Sequence, residues 1–225
     1  MKKAAKFCLA LAITGCAIAV FATAQYGDKL RIDGKTYEIF TNPLTSYLEG
    51  NPDKLPKSNV VSTALWRGYV ATWEVKNQAL LLVNVEILQP VKKPGESGSS
   101  TEFGSVMEQM FPGEKEVPAR WFSGNIIVPD GKLVHYVHMG YGSTFEKYIV
   151  LRVEKGAVTR QWKTDAEGFG KFRNAQFEAY KKTEEYRKAL AETSKEGGMS
   201  QKQNEEFLRE YYSERYMSMI FDNPR

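Results

Sequence analysis

Cysteine is nearly missing from this chain. Cys8 and Cys16 are the only two in 225 residues, and both fall within the first 24. Once that stretch is removed, disulfides, thiol catalysis and cysteine-ligated metals all drop out, and packing alone must hold the fold. Histidine is just as scarce, with His135 and His138 the whole complement. Their odd separation sends them to opposite faces of a regular strand, so they share a metal ion only through a bulge or a turn. No Gly-x-Ser-x-Gly elbow is present. Gly140-Tyr141-Gly142-Ser143-Thr144 lacks the lysine and helix of a phosphate loop and reads as a hairpin connection. Charge excess is lacking too: three of the 31 basic residues lie in the first 24, leaving 28 against 27 acidic ones. That balance gives no warrant for a nucleic-acid partner or an anionic membrane surface. Neither a metal nor a cofactor is expected.

What is there begins with an address. Lys2, Lys3 and Lys6 precede an apolar run over residues 7–21, and Ala22-Thr23-Ala24 offers the small-x-small pattern cut by signal peptidase. The run falls short of the roughly 20 residues that cross a bilayer, so the expectation is cleavage after Ala24 and a periplasmic or secreted protein with no membrane span. The alternative is a lipoprotein anchored at Cys16, because Ile13-Thr14-Gly15-Cys16 resembles a bacterial lipobox. Against that alternative, the residues after Cys16 are apolar where a lipoprotein carries a polar tether.

Residues 25–225 are long enough for one sizeable core. They read as a single α+β domain, an antiparallel β-meander or partly closed barrel over 26–162 followed by a helix pair over 163–221. Four hairpins carry the β reading: 29–32 with 36–40 around Asp33-Gly34, 69–75 with 80–88 around Lys76-Asn77-Gln78, 125–128 with 133–139 around Pro129-Asp130-Gly131, and 145–153 with 157–162 around Glu154-Lys155-Gly156. In the second, alternation assigns Ala71, Trp73 and Val75 to one face, with Leu81, Val83, Val85 and Ile87 on the apolar side of the partner strand. Leu80, Leu82, Asn84 and Glu86 then form a mixed face that the C-terminal helices half cover.

Two inserts interrupt this pattern. Thr41-Asn42-Pro43-Leu44 reads as a helix N-cap with proline at the first helical position, running to Gly50. The second insert, 89–117, is flexible around 92–100 and then places Phe103, Val106, Met107, Met110 and Phe111 at helical spacing, as a surface excursion or a lid. Beyond 163, Phe169, Phe172, Phe177, Tyr180, Tyr186 and Leu190 mark one helix that stops near Gly197-Gly198. Phe207, Leu208, Tyr211, Tyr212, Tyr216 and Met219 mark a second. Their aromatics are expected to pack, with the intervening Lys and Glu solvated.

No catalytic residue is assigned. Glu74 and Glu86 are weak candidates as carboxylates facing each other across the second hairpin, and His138 is a third. Trp66, Arg67 and Tyr69 are the candidate binding residues, since a planar cation beside two large aromatics is the composition of a binding hot spot. The competing reading puts Trp66 in the core with Arg67 lying over it. On the binding reading, Arg67→Ala weakens partner affinity and spares the fold.

Thr41-Asn42-Pro43-Leu44, Tyr47-Leu48 and the run from Leu65-Trp66-Arg67-Gly68-Tyr69 through Val70-Ala71-Thr72-Trp73-Glu74 resemble a group of uncharacterised exported bacterial proteins. The likeness covers about the first third of the chain after residue 24. It implies a bacterial source and one compact domain, and transfers no activity. The expected function is a noncatalytic exported protein that binds a protein or another envelope macromolecule, with inhibitor or immunity-like roles included. The alternatives are an envelope hydrolase acting on carbohydrate or peptide in a cleft under the 89–117 insert, and a carrier of a small apolar ligand between sheet and helices.

Overall fold

The computed structural model describes residues 25–92, 99–137, 141–195 and 198–221. Strands β1 (Asp28–Ile32) and β2 (Lys35–Ile39) form a hairpin closed by Asp33 and Gly34, both at positive φ. A short helix α1 (Thr45–Gly50) and two single 3-10 turns lead to β3 (Val70–Lys76) and the long β4 (Ala79–Lys92). Next come β5 (Ser99–Ser105), the one-turn α2 (Met107–Met110), β6 (Val117–Pro118), β7 (Gly124–His135), β8 (Thr144–Glu154) and β9 (Ala157–Asp165). Helices α3 (Ala166–Tyr180), α4 (Glu184–Lys195), α5 (Gln201–Tyr211) and α6 (Ser213–Ser218) complete the described chain.

The nine strands make one open sheet in the order β2-β1-β3-β4-β9-β8-β7, with β5 and β6 also paired to β4. The class is therefore α+β, as expected. The sheet is not purely a meander, because β1 runs parallel to β3 while the other ladders are antiparallel. It curls until its ends meet: the Phe40 N–H donates to the Ile127 carbonyl at 2.8 Å. Thr41 fastens the seam, its hydroxyl donating to Asn125 O at 3.2 Å and accepting from Ile127 N–H at 3.0 Å. Thr41 is thus not a helix N-cap. The residue preceding α1 is Leu44, and the cap carries no side-chain hydrogen bond.

Two cores flank this curled sheet. Leu30, Ile39, Trp73, Leu82, Ile126 and Leu151 belong to the inner one, whereas Ile127 and Val150 join Tyr148, Phe177, Leu208 and Tyr216 under the helices. Successive residues Ile126 and Ile127 enter different cores because side chains alternate across a strand. The C-terminal helices therefore cover β7 and β8, not the Leu80–Leu82 face assigned to them by pattern.

Four further expectations are corrected by local geometry. β4 bulges at Val83, since Thr72 pairs with Asn84 but Trp73 with Leu82. The extra residue reverses the alternation, so Leu80, Leu82, Val85 and Ile87 all enter the inner core. Pro129-Asp130-Gly131 is not a hairpin turn; its turn residues sit at an irregularity within β7, which runs on to His135 against β8. Phe103 lies on a strand: β5 pairs back on β4 from Glu86↔Ser105 to Lys92↔Ser99, which makes that stretch of the second insert a hairpin arm. The C-terminal pair is also broken in two places. Thr183 interrupts the first helix by donating to Tyr180 O at 2.7 Å and accepting from Tyr186 N–H at 3.1 Å. The second helix, which a reciprocal Ser200–Gln203 capping box starts, is interrupted at Tyr212 between α5 and α6.

Candidate functional site

A buried charge organises the region where β1, β3, the 141–143 loop and α6 meet. Asp28 opens β1 and is fully buried. Its Oδ1 accepts from Ala71 N–H at 3.1 Å and Arg67 Nη2 at 3.4 Å, and its Oδ2 accepts from the Trp73 indole N–H at 3.1 Å. Arg67, whose side chain is 5% exposed, also donates from Nη2 to the Tyr26 carbonyl at 2.7 Å and from Nη1 to the Tyr141 hydroxyl at 2.7 Å. The phenol passes the chain on, donating to Asn42 Oδ1 at 2.9 Å. The guanidinium carbon lies 5.3 Å from the Tyr69 ring centroid and 6.0 Å from that of Tyr141. One cation thus ties the start of the described chain to strand β3 and to the 141–143 loop.

Burial sets the electrostatics here. It pushes the Asp28 carboxyl above its usual range, against the pull of Arg67, Trp73 and Ala71. Burial likewise raises the Tyr69 and Tyr141 phenols well above their ordinary value, so both stay protonated donors. Glu214 on α6 is the second acid in the cluster. Burial pushes it up, opposed by Arg67 and by the Asn42 backbone N–H that donates to it. Helix α6 is held in place by polar bonds, the Asn125 amide reaching Met217 O at 3.2 Å and Met219 O at 2.6 Å.

Asn42 and Glu214 line two clefts at once. The smaller, about 140 Å³, is bounded by Gln25, Trp66, Tyr141 and Tyr211. The larger, about 370 Å³, has Thr45, Glu49, Trp121, Ser123 and Arg215 in its walls. A third cleft of about 380 Å³ lies on the strands between Tyr26, Tyr37, Val70 and Phe103. No family model, curated protein or solved structure matches the chain. The site must be read from its own chemistry.

That chemistry redistributes the residues singled out by sequence. Trp66 is 72% exposed and Arg67 buried, the reverse of an indole in the core beneath a surface arginine. Tyr69 is buried as well, its hydroxyl 3.1 Å from Thr45 Oγ1. Of the three, Trp66 alone is exposed to solvent. Glu74 and Glu86 do not face each other: Glu74 stands opposite Leu81 and Glu86 opposite Val70. Glu86 instead pairs with Lys29 at 3.7 Å beside the Tyr26–Phe103 cleft. His135 is exposed at the end of β7, and His138 lies outside the described residues. Among the described residues no group of three potential ligands is placed to hold a metal ion.

Four participants escaped the sequence reading. Asp28 sits one residue before the first expected strand, and by pattern Asn42 belongs to a helix cap, Tyr141 to a hairpin connection and Glu214 to a solvated helix face. Only Asp28 left a signal, since β1 buries alternate residues and that alternation extends back to it.

Proposed function

We propose that this chain is an exported bacterial binding protein without catalysis of its own, and that an envelope macromolecule docks across Trp66. The exposed Trp66 carries the reading. It follows a 3-10 turn and directly precedes Arg67, whose side chain is tied to Tyr26 and Tyr141, so a large aromatic surface stands in water beside an anchored residue. Tryptophan is enriched among interface hot spots, because it supplies a large contact area at little conformational cost. Its surroundings support the same use. Tyr211 is half exposed across the smaller cleft, and Tyr26, edge-on to Phe103 at 5.6 Å, leads to the strand cleft.

The test is capture from the native envelope after brief crosslinking, with the protein from Gln25 onward as bait, followed by titration of the purified partner. Trp66→Ala is expected to lose the partner while its unfolding free energy stays within about 0.5 kcal/mol of the parent, as for surface changes generally. Equal retention by Trp66→Ala would overturn this reading.

A further inference from the structure

We propose that the larger cleft beside Glu214 is a second binding site, independent of Trp66, and that it takes an uncharged saccharide. Its volume of about 370 Å³ falls within the range of about 300–1,000 Å³ typical of small-molecule sites. One wall is a fixed aromatic plane. The Trp121 indole N–H donates to Pro43 O at 3.1 Å, and its ring lies 4.8 Å from Tyr47 and stacks on Phe111 at 6.4 Å with 6° between planes. Held this way and only partly buried, it offers a flat surface for the C–H face of a pyranose.

The facing groups come from separate elements and keep hydrogen-bonding capacity. Asn42 commits its carbonyl oxygen to Tyr141 and retains its amide donors. Ser123 accepts from Lys155 N–H at 2.9 Å and retains its hydroxyl proton. Glu49 and Glu214 add carboxyl oxygens on the α1 and α6 sides. Such a mixture of one aromatic plane with spaced donors and acceptors matches a polyol better than a lipid or an apolar metabolite.

Charge narrows the class further. An anionic ligand would meet two acids, while the one cation in the wall, Arg215, is already paired with Glu185. A cationic ligand would meet Arg215, which lines the same wall and already lies in the field of Glu49. A neutral ligand escapes both conflicts, and the carboxyl oxygens of Glu49 and Glu214 can accept from its hydroxyl groups.

Nuclear magnetic resonance titration of the indole N–H signals separates this site from the first, because Trp121 is one of four tryptophans and each resonance is assignable by substitution. Cellobiose, maltose and diacetylchitobiose are the probes, with putrescine and inorganic phosphate as charged controls. At least one disaccharide is expected to shift the Trp121 signal saturably by about 20 mM, a concentration that reveals millimolar affinity. The shift should persist in Trp66→Ala, and Glu214→Gln and Glu49→Gln should each weaken it by about tenfold, the usual scale for a hydrogen bond to an ionisable group. Silence with all three disaccharides overturns the proposal. So does a response to putrescine or phosphate alone, or equal affinity in both glutamine variants with an unchanged unfolding midpoint.

Discussion

Removing the Arg67 guanidinium strands the Asp28 carboxyl in a place water cannot reach. Breaking a buried ion pair from one side costs about 3–5 kcal/mol, because the remaining charge keeps its desolvation penalty. Arg67→Met is therefore expected to destabilise the fold on that scale by urea denaturation, and Arg67→Met with Asp28→Asn should recover part of the loss. This reverses the expectation from sequence that Arg67→Ala would spare the fold. A loss below about 1 kcal/mol would show that the cluster reorganises around the gap. Glu214 makes a prediction in pH. Its folded pKa is raised above the ordinary 4.5, so the native state binds the proton more tightly than the unfolded chain. The stability it contributes is present below pH 4.5 and is lost as pH rises through the folded value. Parent and Glu214→Gln should then match in stability at acid pH, and the variant should become the more stable of the two as pH rises; parallel curves would remove Glu214 from the buried cluster.

Among the elements, the turn between β3 and β4 is the one built against backbone preference. Asn77 and Gln78 sit at φ 52° and 60°, the pair of positive angles that suits Asn-Gly. Gln78→Gly should raise stability by up to about 1 kcal/mol, since the left-handed conformation costs a side-chain-bearing residue roughly 1–2 kcal/mol. The bond from Val158 N–H to Gln78 O at 2.7 Å uses backbone alone and survives the change. An unchanged thermal midpoint would mean that glycine's entropy in the unfolded chain offsets the relief. Turn residues were legible where the chain reverses, as at Asp33-Gly34 and Lys155-Gly156. They misled at Pro129-Asp130-Gly131, where the same residue types serve a bulge, and a bulge and a turn make similar local demands on φ.

For the whole molecule, the seam between β2 and β7 decides how tightly the sheet curls. Thr41 is the clasp, and Thr41→Val keeps its shape while leaving Ile127 N–H and Asn125 O without their partner. A loss of about 1–3 kcal/mol is expected, the cost of an unsatisfied buried polar group. Amide exchange should speed first at Phe40 and Ile127, where the two ends meet. Uniform protection instead would assign the closure to apolar packing across the sheet. The link between β4 and β9 is a second narrow joint, one paired position at Ala79 and Ala157 with Leu80 N–H donating to Gly156 O at 2.8 Å.

The sequence by itself determined the α+β class, the hairpins at 33–34, 77–78 and 155–156, and the helical character beyond residue 165. Alternation, turn residues and caps are local, and each is written within a few neighbouring positions. The tertiary structure alone decided that Trp66 faces water and Arg67 the interior, that β1 lies parallel to β3, and that Asp28, Asn42, Tyr141 and Glu214 converge. These residues are separated by up to 186 positions, and the field that brings them together arises only when packing removes water from around one charge.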